Sequence, residues 1–193
     1  MGFLDSLLGR RKLAQPAEDR LFAISTAYVT FETSLSITSR GSAAIVFQSL
    51  ATADFTSIVR ETEEIVRATA SDSATTVENA TDSYGFSWLI LRGSDFDSLV
   101  VGINAVSGAL QAGGYGDRLL CSVFAFQDES DSAHPRALYW IYNYKRGFFY
   151  PFVPAGSQKR DNERELILRA QAGNELPVEP ELSRWFPLWG IPV

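Results

Sequence analysis

Cys121 and His134 are the only thiol and the only imidazole among the 193 residues of the chain. Nucleophilic catalysis by a cysteine needs a base beside it. Cys121 lies inside the apolar run LLCSVFAF (119–126), which predicts a buried and inert thiol. His134 precedes a proline in the polar stretch QDESDSAHPR, the composition of a solvated loop. A single cysteine also forbids an internal disulfide and a zinc site built from several thiolates. Glu61, Glu63 and Glu64 have the chemistry to hold a cation or move a proton, yet adjacent charges on a helix are expected to form a solvated face. The glycine-rich QAGGYG (111–116) follows a helical stripe instead of opening one, and it lacks the lysine of a phosphate-binding loop. No catalytic residue, cofactor or metal is expected, and the chain reads as a non-enzyme.

Two stretches carry binding chemistry instead. Phe3, Leu4, Leu7 and Leu8 recur at helical spacing, and Arg10, Arg11 and Lys12 follow. Such a face with adjoining cations suits an anionic membrane surface or a groove on a helical partner. The second stretch is YNYKRGFFYPFVP (142–154), whose aromatic residues surround Lys145 and Arg146. Strand alternation puts Leu138, Trp140, Tyr142 and Tyr144 on one face, and Tyr139, Ile141 and Asn143 on the other. The rings are therefore expected to be structural, with Lys145-Arg146-Gly147 at a hairpin turn and Pro151 restricting the second strand to an edge. The candidate partner-binding residues are Phe3, Leu4, Leu7, Leu8, Arg10, Arg11, Lys145 and Arg146.

These residues need elements to position them. Hydrophobic residues make up 46% of the chain, which suits one compact domain. We expect an amphipathic segment and linker over 1–20, then a single domain over 21–193 with a Pro/Trp-rich tail from about 174. Tyr28–Thr33 is rich in β-branched and aromatic residues and predicts a strand. GSAAIVFQS (41–49) predicts another. Phe55, Ile58, Val59, Thr62, Ile65 and Val66 share one face of a helix, and Phe96, Leu99, Val100, Ile103, Val106 and Leu110 form the stripe of a second, with Ser94 as its N-cap. Gly113 and Gly114 stop that second helix. Strands follow over 119–126, 137–144 and 148–152, then a last helix over about 159–172.

The segment from Asp54 to Val59 (DFTSIV) is echoed from Asp95 to Val100 (DFDSLV), each between apolar strands. Two strand–helix–strand units suggest helices on one face of a sheet. The expected fold is α+β: a mainly antiparallel sheet of five to six strands with two or three amphipathic helices, split βαβ-like or secretion-chaperone-like.

The net charge of −6 argues against nucleic-acid binding, where phosphate neutralisation supplies most of the affinity. No apolar run reaches the roughly 18–20 residues of a membrane span, and the cations of MGFLDSLLGRRK follow its apolar residues, the reverse of a secretory signal. A cytoplasmic location is expected.

MGFLDSLLG, YGFSWLILRG, LLCSVFAF, YKRGFFYPFVP, RDNERELILRA and LPVEPELSRWFPLWG, in this order, resemble the PspAB family of proteins associated with phage shock protein A. The resemblance covers nearly the whole chain. It implies an accessory role in a phage-shock, envelope-stress system, with a PspA-like membrane-remodelling coiled-coil protein as partner and no catalysis. It also implies a peripheral place at the inner face of the cell membrane, with weak or indirect attachment, since anionic lipid repels an acidic body. It supplies no site residues and no oligomeric state. The alternative is a chaperone-like or ligand-sensing α+β module unrelated to membrane stress.

Overall fold

The computed structural model of the chain describes residues 18–70, 75–173 and 175–193. Its elements are α1 (Glu18–Leu21), α2 (Ala23–Leu35), β1 (Ile37–Phe47), α3 (Ala53–Ala70), β2 (Thr76–Thr81), β3 (Ser87–Arg92), α4 (Phe96–Ala112), β4 (Leu119–Asp128), β5 (Arg136–Asn143), β6 (Phe148–Phe152) and α5 (Asn162–Ala172). The strands form one open sheet of order β2-β3-β1-β4-β5-β6, antiparallel throughout.

The order interlocks two split units. Strands β3 and β4 run the same way with β1 between them, and α4 crosses from one to the other. Strands β1 and β2 run the same way around β3, and α3 makes that crossing. The expected α+β, split βαβ-like architecture is therefore what forms. The echoed segments from Asp54 and Asp95 each open one of the two crossing helices.

Each face of the sheet has its own cover. On one, Ile45, Leu89, Leu91, Phe124, Phe126 and Trp140 meet the apolar stripes of α2 and α4, with Leu168 and Ala172 of α5 joining the same cluster. On the other, Val46, Ile90, Val123, Tyr139, Ile141 and Phe152 meet Trp185, Leu188, Trp189, Ile191 and Val193. The tail reaches them as a strap. Phe149 N–H donates to Pro177 O at 2.8 Å and Glu179 N–H donates to Phe149 O at 2.8 Å, so residues 177–179 line the outer edge of β6. Trp185 Nε1 donates back to Glu179 O at 3.0 Å. At the far end Arg92 Nη2 donates to Pro192 O at 3.0 Å, on β3. The strap thus crosses four strand spacings and also shields the unpaired edge that Pro151 weakens.

Four local expectations are corrected. Residues 28–33 are helical, within α2. Ile24, Ala27 and Phe31 are its buried residues, and Phe31 stacks on Trp140 at 5.6 Å between ring centroids. Strand β1 begins at Ile37, before Gly41, and passes that glycine through a bulge where the pairing with β4 shifts. Gly41 has φ +65°, and a Cβ there would lie 2.8 Å from Gly93 O, so no other residue fits without movement. The N-cap of α4 is Asp95 instead of Ser94, its carboxylate accepting from Ser98 N–H at 3.2 Å. Helix α5 starts at Asn162, capped by Asp161, whose carboxylate accepts from Arg164 N–H at 2.9 Å.

Among the described residues, no helix is long and apolar enough to cross a membrane.

Candidate interaction surface

The β5–β6 hairpin turns where the sequence places it. Lys145 N–H donates to Asn143 Oδ1 at 3.0 Å and Gly147 N–H to Asn143 O at 2.8 Å, with Gly147 at φ +69°. Tyr142, Tyr144, Phe149, Tyr150 and Phe152 are buried. The rings of this stretch are core residues, and they leave the turn cations at the surface. Lys145 is exposed. Arg146 is committed: its Nε and Nη2 donate to Glu179 Oε2 and Oε1 at 2.9 and 3.3 Å. Burial pushes the Glu179 carboxyl up, but Arg146 and the Glu181 N–H outweigh it and hold the group below the usual carboxylate range.

Arg20 brings the N-terminal end of the described chain to the same turn. Its Nη1 donates weakly to Gly147 O at 3.5 Å, and its guanidinium carbon lies 5.5 Å from the Phe148 ring centroid. The segment bearing Phe3, Leu4, Leu7, Leu8, Arg10 and Arg11 lies outside the described residues. The described chain begins at Glu18, two residues before Arg20.

The pairing register places further features at this end of the sheet. Phe47 pairs with Ser87 and Leu119, Thr81 with Ser87, Cys121 with Asn143, and Asn143 with Phe148. The tip of the β2–β3 hairpin is here too, carrying Tyr84 at 78% exposure. Asp82 holds that tip: its carboxylate accepts from Tyr84 N–H, Phe86 N–H and Trp88 Nε1 at 2.9, 3.0 and 3.0 Å. Burial raises its carboxyl, and these hydrogen bonds prevail to leave it lowered. Beside the tip, a cleft of about 330 Å3 opens between α3 and the ends of β1, β2 and β3.

The chemical candidates resolve as follows. Cys121 is buried and desolvation pushes its thiol up to about 12. His134 is exposed, with Nδ1 at 3.2 Å from Asp131 Oδ2. Glu61 and Glu64 are exposed, as a solvated face requires. Glu63 is not: it is buried against β2, where it accepts from Asn79 Nδ2 at 2.9 Å and pairs with Arg67 at 3.4 Å. Sequence reasoning missed both this turn of Glu63 toward β2 and the cleft beside it. The helical spacing of Phe55, Val59 and Thr62 fixes which flank Glu63 lies on, but nothing local shows that β2 lies there.

The motif RDNERELILRA is explained by structure. Arg160 pairs with Glu165 at 2.8 Å and its Nη1 donates to Trp185 O. Glu165 also accepts from Val153 N–H at 2.9 Å. Arg164 pairs with Asp128 at 2.7 Å, and Arg136 with Asp161 at 3.1 Å. One helix start is tied by these contacts to β4, β5, the end of β6 and the strap. Burial raises the Glu165 carboxyl above its ordinary range despite Arg160. At Asp128 burial is outweighed by Ser130 and Arg164, and its carboxyl is lowered.

No curated protein and no solved structure matches the chain. The family model PspAB, described as PspA associated protein B, matches residues 1–193. The motifs that form the strap, the α5 tether and the β5–β6 hairpin all fall within that match, and the chain belongs to the PspAB family.

Proposed function

We propose that this chain is a non-catalytic accessory protein of an envelope-stress system that binds a PspA-like coiled-coil protein. The family description supports the association. The observation that carries the reading is the contact of Arg20 with Gly147. It brings Arg20, near the start of the described chain, to the turn that bears Lys145. An apolar face with cations in the sequence, together with an exposed lysine on an acidic body, suits an amphipathic and acidic stretch of a coiled coil. Attachment to the inner face of the cell membrane then runs through the partner, since the acidic body is repelled by anionic lipid.

Co-sedimentation of the purified chain with a purified PspA-like protein, with and without liposomes, tests this. The full chain is expected to co-sediment, and the chain lacking residues 1–12 to do so weakly while keeping its melting temperature. Absence of binding by the full chain under both conditions rejects the proposal.

A further inference from the structure

The cleft between α3 and the strand ends is separate from the Lys145 corner. Its volume of about 330 Å3 falls within the roughly 300–1,000 Å3 of small-molecule sites. Its floor is apolar, made by Phe47, Leu50, Phe55 and Val59. Its rim is polar, and most rim groups are already engaged. The Glu63 carboxylate is shared by Asn79 and Arg67. The hydroxyls of Ser49 and Ser87 bond each other, and Thr56 Oγ1 donates to Thr52 O at 3.0 Å. Arg60 differs. It is exposed on the lip, one helical turn from both Thr56 and Glu63, and among the described residues it has no ion-pair partner.

An apolar floor below a single uncommitted cation selects a ligand with an apolar body and one anionic head. A cationic head would be repelled by Arg60. A neutral alcohol would gain the floor alone, and a wholly polar ligand would leave the floor unfilled. The Glu63 carboxylate in the lining is paired with Arg67 at 3.4 Å, which offsets part of its repulsion of an anion. We propose that this cleft binds a small amphiphilic carboxylate, its apolar body on Phe47, Phe55 and Val59 and its carboxylate on Arg60. The proposal does not depend on partner binding, which uses another part of the surface.

Calorimetric titration of the full chain with octanoate tests it, with 1-octanol and octyltrimethylammonium as comparators. Saturable one-to-one binding of octanoate is expected, with weaker octanol and no octyltrimethylammonium binding. Arg60→Gln should weaken octanoate about tenfold or more and leave octanol unchanged, since a hydrogen bond to a charged group is lost. Thr56→Trp, at an exposed lip position, should fill the cleft and abolish binding of octanoate, with circular dichroism and melting reporting an intact fold. No saturable octanoate binding overturns the proposal. So does octanol binding as tightly as octanoate, or an affinity unmoved by either substitution. If Thr56→Trp fails to fold, Arg60→Gln decides alone.

Discussion

Arg146 and Glu179 join the turn of the β5–β6 hairpin to the strap in a two-point ion pair, at 2.9 and 3.3 Å. The carboxylate side of the pair is 3% exposed and the guanidinium side 40%. One of the two turn cations is thus occupied within the molecule, and its neighbour faces outward.

Lys145 and Arg146 are therefore expected to respond differently to charge reversal. Lys145→Glu should leave the melting temperature unchanged and weaken binding to the PspA-like partner. Arg146→Glu sets a second carboxylate against Glu179 and should lower the melting temperature whether or not a partner is present. Thermal melts of both variants, with partner titrations, check this. Equal loss of stability in the two would show that Lys145 is structural as well.

Trp185 anchors the strap on the second face of the sheet, at 5% exposure and with its Nε1 on Glu179 O. Trp185→Ala should cost roughly 3–5 kcal/mol, the range for large aromatic truncations in cores. Urea unfolding measures it, and dye binding to exposed apolar surface should rise at the same time. A loss below about 1 kcal/mol would mean that the strap contributes little.

Asp128 and Glu165 should give opposite pH responses. The folded-state pKa of Asp128 is lowered, so its ionised form stabilises the fold. That contribution is present above the unfolded value of about 3.9 and fades as pH falls through the folded one. Glu165 is raised, so its ionisation on the alkaline side of its ordinary value works against folding. The stability gap between wild type and Asp128→Asn is expected to narrow as pH drops below about 4. The gap between wild type and Glu165→Gln should not narrow in that way. Denaturation curves at several pH values check both.

Gly102 lies in α4 directly over β3, and a Cβ built there overlaps Leu91 Cδ2. Replacing a helical glycine by alanine ordinarily gains about 1 kcal/mol. Overpacking a core costs about 1–3 kcal/mol, and the Leu91 side chain that must shift to make room is fully buried. Gly102→Ala should therefore destabilise, by about 1 kcal/mol net, as read from urea unfolding. A gain would show that α4 can lift from the sheet at no cost.

Much of the sheet could be read from residue order. The alternation through Leu138, Trp140, Tyr142 and Tyr144 assigns them to one face, and they are buried there together. Pro151 marks an edge strand, and β6 is one. Residues 28–33 are rich in β-formers, yet propensity over so short a window is a weak determinant of structure. The helical spacing of Ile24, Ala27, Phe31 and Leu35 wins because it lets α2 pack on Trp140 and Phe126. The strap follows no period, so its prolines exclude a regular element without showing its path. The cleft was invisible for another reason. Phe47, Phe55, Asn79 and Ser87 come from four separate elements, and only the strand order brings them together.

Every strand of the sheet precedes the segment that covers its second face. On a ribosome adding about 5–20 residues per second, Phe152 is made roughly 2–8 s before Val193. For that interval Val123, Ile141 and Phe152 lack the strap residues that complete their cover. Vectorial synthesis is thus expected to leave this face without its strap until the last residues are made.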